Sequence, residues 1–152
     1  MPNWCYNELH VGGTSDKLRR FYRAAKRGTR LICLQKFLPM PRELRNTQSP
    51  HKDTKRYKYL KEKFGQDNWY DWHVKNWGTK WDVNRESCHL DYNGPRSLIY
   101  VFDTAWSPPC PVLKKMSKKF KQLRFIMHFK DEGGGFEGTM TCKDGLCTEK
   151  IR

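Results

Sequence analysis

Polar and apolar positions alternate from Asn3 to Val11, which predicts a first strand. Cys5, Asn7, Leu9 and Val11 fall on one face, and Trp4, Tyr6, Glu8 and His10 on the other. Gly12-Gly13 ends the strand, and Thr14 or Ser15 is placed to cap a helix by accepting a backbone N–H bond. Leu18, Phe21, Tyr22 and Ala25 recur at helical spacing as one apolar stripe, and Gly28 suits the left-handed residue that stops a helix. Residues 30–38 read as a second strand, closed by Pro39-Met40-Pro41. A polar, basic stretch follows over 42–67, with a short helix near Tyr57–Phe64. Residues 68–77 place Trp69, Trp72 or His73, and Asn76 or Trp77 on one helical face, with Gly78 closing that helix. A strand over 86–92, an Asn93-Gly94 turn and a return strand over 97–103 form a hairpin. The return strand is apolar on both faces and belongs inside a sheet.

Pro108, Pro109 and Pro111 open a second long helix, with a stripe of Val112, Leu113, Met116 and Phe120. Leu123, Phe125, Met127 and Phe129 then alternate against Arg124, Ile126, His128 and Lys130, the clearest strand in the chain. Gly133-Gly134-Gly135 turns into a strand over 136–142, and Lys143-Asp144-Gly145 into a last strand over 146–151. Two helices with one apolar stripe each want a shared sheet face. The order therefore predicts an α+β fold: a ferredoxin-like split β-α-β layer with both helices on one face of an antiparallel sheet. Residues 1–152 are read as a single domain, with a Trp-rich helical insertion at about 39–85 and a C-terminal β-hairpin.

Charge changes the picture. The chain of 152 residues carries 30 Lys and Arg against 16 Asp and Glu, a formal net charge of +14. Residues 14–65 hold 16 basic and 4 acidic residues, so the excess is concentrated. A second cluster, Lys114, Lys115, Lys118, Lys119 and Lys121, lies on the second long helix. Local excess of this kind recruits nucleic acid, an acidic protein or an anionic surface, or it simply solvates a face. No stretch is long and apolar enough for a membrane span, and the N-terminus lacks a signal-peptide pattern. The expected location is the cytoplasm of the host cell.

Six cysteines stand at 5, 33, 88, 110, 142 and 147, without a Cys-x-x-Cys pair. The expectation is reduced thiols, several of them small apolar core residues. Cys88-His89 with His10, His51, His73 and His128 shows no repeated metal spacing, so neither metal nor cofactor is assigned.

Long stretches in order resemble the YubB-like ferredoxin-like family of phages, prophages and conjugative plasmids. They include residues 1–9, Leu38-Pro39-Met40-Pro41-Arg42-Glu43-Leu44, Trp69-Tyr70-Asp71-Trp72 and residues 76–82. They continue through Phe102-Asp103-Thr104-Ala105-Trp106-Ser107-Pro108-Pro109 and Gly134-Gly135-Phe136-Glu137-Gly138-Thr139. The resemblance implies a ferredoxin-like fold without an iron–sulfur cluster and a home on a mobile element. It implies no catalytic residues.

The candidate nucleic-acid contacts are Lys17, Arg19, Arg20, Arg23, Lys26 and Arg27, with Lys114, Lys115, Lys118 and Lys119. Both sets lie opposite apolar stripes, so the charge should belong to the helix layer and leave the other sheet face nearly neutral and aromatic. Candidate stacking residues are Trp4, Tyr6, Trp69 and Trp72, although tryptophans in such numbers more economically lock the insertion onto the sheet. Arg124 and His128 would interleave charge with Trp4 and Tyr6 on the open face, as in RNA-recognition domains of this topology. Asp131, Glu132 and Glu137 flank the glycines at 133–135 and argue against a phosphate cradle there. Asp71 with His73, or Asp82, Asp103 and His89, are candidate acid–base groupings, and Asp103 reads more simply as stabilising a strand-to-helix corner. No nucleophile–base–orienter spacing, P-loop or dinucleotide motif occurs. The reading is a non-catalytic accessory protein binding DNA or RNA through a basic helix face. Its alternative is a protein–protein inhibitor of a host defence or nucleic-acid-processing complex, docking on an acidic host protein.

Overall fold

β1 (Trp4–Gly12) keeps the alternation of its sequence: Cys5, Asn7, Leu9 and Val11 are buried, and Tyr6 is 45% exposed. In the computed structural model, which describes residues 2–49 and 54–152, this strand pairs antiparallel on both sides. Its partners are β3 (Ser97–Ala105) and β4 (Arg124–Asp131). β2 (His89–Asn93) adds beyond β3, and β5 (Glu137–Lys143) and β6 (Leu146–Ile151) add beyond β4. The six-stranded order is β2-β3-β1-β4-β5-β6 with every pair antiparallel. The inner order β2-β3-β1-β4, with a helix after β1 and another after β3, is the ferredoxin-like α+β layer.

α1 (Ser15–Ala25) follows β1. The segment between it and β2 holds α2 (Leu34–Phe37), α3 (Lys55–Phe64) and α4 (Trp69–Asn76). α5 (Cys110–Lys119) follows β3. Leu18, Phe21 and Ala25 of α1 and Val112, Leu113 and Met116 of α5 are buried with Leu9, Val11, Tyr100, Phe102, Phe125 and Met127 of the sheet. Phe21 sits among four rings, with centroids 5.6 Å from Phe37, 5.9 Å from Tyr100, 5.3 Å from Phe120 and 5.4 Å from Phe125. Removing such a ring costs about 3–5 kcal/mol.

Asn7 is a polar residue on the buried face, and its amide is satisfied. Nδ2 donates to Thr104 Oγ1 at 2.9 Å and to the Cys5 carbonyl at 3.1 Å. Thr104 Oγ1 donates in turn to the Ser107 carbonyl at 2.7 Å. Thr79 Oγ1 donates to the Ala105 carbonyl at 2.6 Å and Ser107 Oγ to the Gly78 carbonyl, so the insertion is tied to the corner between β3 and α5. Gly78 has φ +79°, and a Cβ there would meet Pro111 Cδ at 2.7 Å. The close approach and the left-handed backbone both require glycine.

Several expectations are corrected. Residues 30–38 do not form a strand; Leu34–Phe37 is a helical turn. The apolar run there is compatible with either state, and Asp82 decides it by accepting N–H bonds from Leu34 at 2.7 Å and Gln35 at 3.1 Å. α1 ends at Ala25, ahead of Gly28, and Gly28 instead serves a turn closed by reciprocal bonds between Arg27 and Arg30. Thr14 occupies the cap position of α1 without a side-chain bond, and Ser15 Oγ donates to the Pro95 carbonyl. Cys142 and Cys147, directly opposite in the β5–β6 register, form a disulfide and are not reduced thiols. Cys5, Cys33, Cys88 and Cys110 are free. Burial pushes the Cys5 and Cys110 thiols up to about 12 and raises those of Cys33 and Cys88; Cys5 and Cys33 are small buried residues, and Cys88 and Cys110 are half-buried against the core. His51 lies outside the described residues.

Candidate nucleic-acid interface

α1 is amphipathic because its buried residues Leu18, Phe21 and Ala25 are spaced three and four apart. The intervening positions, Arg19, Arg20, Arg23 and Lys26, are exposed, and Lys17 is half-buried. α5 repeats the pattern, with Lys114, Lys115, Lys118 and Lys119 exposed opposite Val112, Leu113 and Met116. Both helices pack on one sheet face, and the start of α1 comes close to the end of α5. Lys17 and Arg20 of α1 and Lys118, Lys119 and Lys121 at the end of α5 line one groove of about 330 Å³. Phe120, Gln122 and Leu123 complete its lining, and among the described residues no carboxylate does.

The terminal hairpin braces this groove. The Gly145 N–H donates to buried Ser117 Oγ at 2.8 Å. A Cβ on Gly145 would lie 2.5 Å from Lys118 Cγ, so the lysine stem rests against the turn. Gln122 also lines a second depression of about 480 Å³, with Gly12, Gly13, Arg96, Arg124 and Lys143. The basic surface therefore continues from the helix layer around the end of the sheet.

Of the ten predicted contacts, the groove brings together Lys17, Arg20, Lys118 and Lys119. Arg19 reaches Asp16 at 3.6 Å, and Lys26 Nζ lies 5.5 Å from the Tyr22 ring centroid. Arg23, Arg27, Lys114 and Lys115 are exposed on the same helices and the α1 turn but line neither depression. Sequence reasoning misses Arg96 and Lys143. Each stands alone in sequence, and only strand order brings them to Arg124.

The predicted stacking residues divide. Trp72 is 7% exposed and packs against Trp77 at 5.8 Å, so it belongs to the core and cannot stack a base. Trp69 is half-buried against His73 at 5.4 Å. Trp4 is half-buried with Trp81 at 6.3 Å, so the insertion reaches over that end of the open sheet face. Tyr6 remains open beside His128, in a groove of about 410 Å³ that also holds Lys130 and Lys150. The register sets Glu8, Asp103 and Glu137 among these cations, giving that face mixed charge.

The candidate acid–base groups are structurally engaged. Asp71 accepts from the Asn68 amide at 2.9 Å while its own N–H is capped by Asn68. Asp82 caps α2. His73 is stacked on Trp77 at 4.0 Å, and its Nδ1 meets the Lys80 carbonyl at 2.7 Å. Burial lowers its pKa below the usual histidine value. Asp103 stands within β3 opposite Tyr6 and not at the corner; burial raises its carboxyl, and the Ser87 hydroxyl counters that. His89 is exposed on edge strand β2. At the triple-glycine turn, Asp131 Oδ2 accepts the Gly135 N–H at 3.0 Å, so the loop's own carboxylate fills the place a phosphate would need.

The profile of the ferredoxin-like domain in Api92-like protein matches residues 76–152. The chain belongs to that family. A crystal structure of a protein api92 from Yersinia pseudotuberculosis superposes with a TM-score of 0.63. The alignment covers 99% of this chain and 98% of that one at 10% identity, a likeness of fold alone. No curated protein matches the sequence. The match supports the ferredoxin-like reading of the sequence, and the family it shows is the Api92-like one.

Proposed function

We propose that this protein is a non-catalytic accessory factor of a phage or plasmid that binds nucleic acid through the groove between α1 and α5. The observation that carries the reading is the convergence of Lys17, Arg20, Lys118, Lys119 and Lys121 on one groove lined by no acid among the described residues. Like charges gathered without a carboxylate beside them repel one another, and a bound polyanion would neutralise them. Arg96, Arg124 and Lys143 extend the track around the sheet end, a path that suits a backbone of phosphates. Such contacts position a strand without reading its bases. The mobile-element setting rests on the sequence resemblance to the YubB-like family, and the host cytoplasm is the matching location.

A mobility-shift titration with a random-sequence duplex and a single strand tests the reading. Binding at low salt that weakens steeply as salt rises is expected, with little preference among sequences. Absence of binding at low salt overturns it. Capture of a stoichiometric host protein that survives nuclease treatment would favour an inhibitor role instead.

A further inference from the structure

We propose that Glu8, His10 and His128 form a site for one divalent transition-metal ion, best suited to zinc, on the open face of the sheet. Glu8 and His10 are two residues apart on β1 and so share a face. The antiparallel register sets His128 of β4 directly opposite Glu8. One donor atom from each residue lies within 4.8 Å of the others. His10 Nε2 is 3.2 Å from Glu8 Oε2, close to the ~3.4 Å between two ligands that each lie ~2.1 Å from a tetrahedral ion. The His10 and His128 rings lie 5.5 Å apart, and with their donor atoms and that of Glu8 within 4.8 Å of one another a small closing movement lets all three reach one ion.

The outer contact fits as well. His128 Nδ1 lies 2.9 Å from Thr139 Oγ1, its register partner on β5. With Nδ1 donating to that hydroxyl, Nε2 is left as the lone-pair nitrogen. A hydrogen bond that fixes the ring and its tautomer is the usual support of a metal-binding histidine. Two imidazoles and a carboxylate match the donor set of zinc and its neighbours, not of calcium or magnesium. His10 and Glu8 are 37% and 31% exposed at their side chains, so an ion has a path in and a fourth position stays open to water. The site lies on the opposite face from the α1–α5 groove and is independent of the proposed nucleic-acid contacts.

Tag-free protein stripped with a chelator and titrated with Co2+ tests this by visible absorption. The expected result is saturation at one equivalent with the intense bands of low-coordinate cobalt, reversed by Zn2+. His10→Ala and His128→Ala, each checked for folding by circular dichroism, should abolish the bands. Thr139→Val should weaken binding by roughly 10- to 100-fold. Cys88→Ser should leave the titration unchanged. A titration that never saturates, or bands that persist in both histidine variants, would overturn the proposal.

Discussion

Lys17 of α1 and Lys118 of α5 line one groove, although the whole insertion and two strands separate them in sequence. Packing both apolar stripes on one sheet face forces the two cationic edges together. The cost is mutual repulsion within a chain of net charge +14. Added salt shortens the Debye length from ~10 Å at 0.1 M to ~3 Å at 1 M. The thermal midpoint should therefore rise as sodium chloride increases over that range, measured by circular dichroism. A falling midpoint would mean that attractive pairs dominate.

Asp82 holds α2 in place from the far end of the insertion. Its carboxylate accepts from Leu34 and Gln35, and also from the Val83 N–H at 2.7 Å. Asp82→Ala leaves those donors unpaired and should cost about 2 kcal/mol. Urea unfolding would show a lower midpoint with an unchanged slope. Asp82→Asn, which keeps one acceptor, should lose less.

His73 gives stability a pH dependence. Desolvation is the main reason its pKa falls below the usual 6.5, opposed by the Lys80 carbonyl and the Asp82 charge. The unfolded chain then binds a proton more readily than the native one. Stability present above about pH 6.5 is lost as pH falls toward the folded value, at no more than ~1.4 kcal/mol per pH unit for one group. His73→Phe keeps a ring against Trp77 and removes the titration. Its stability between about pH 7 and about pH 5.5 should be flatter than that of the parent. Identical slopes would contradict the assignment.

Tyr100 is fully buried, and its hydroxyl has no hydrogen-bond partner among the described residues. Burial also drives its pKa upward. Tyr100→Phe removes an unsatisfied group without changing the ring, so it should be neutral or stabilise by up to about 1 kcal/mol. A destabilisation greater than that in urea unfolding would contradict the unpaired hydroxyl.

The periodicity of β1 and β4 and the stripes of α1 and α5 make the ferredoxin-like layer legible, because those elements bury one regular face each. Local pattern fails where a distant residue decides. The run Leu31-Ile32-Cys33-Leu34 reads as strand until Asp82 supplies a cap. Trp72 looks like a stacking surface until Trp77 covers it. The ten cations lie open in the sequence as two helical clusters, yet Arg96 and Lys143 join them only through strand order. Glu8, His10 and His128 have no metal-like spacing along the chain. They meet because β1 and β4 are neighbours in one register.

The most direct test of the central claim is the salt dependence of duplex-DNA affinity for a groove variant against an open-face variant. The first carries Lys17→Gln, Arg20→Gln, Lys118→Gln and Lys119→Gln; the second carries Lys130→Gln and Lys150→Gln. The slope of log affinity against log salt should shrink by about 0.9 for each phosphate no longer neutralised, so by up to about 3.6 in the groove variant. The open-face variant should keep the parental slope. Equal slopes for parent and groove variant, or a reduced slope confined to the open-face variant, would contradict a nucleic-acid surface between α1 and α5.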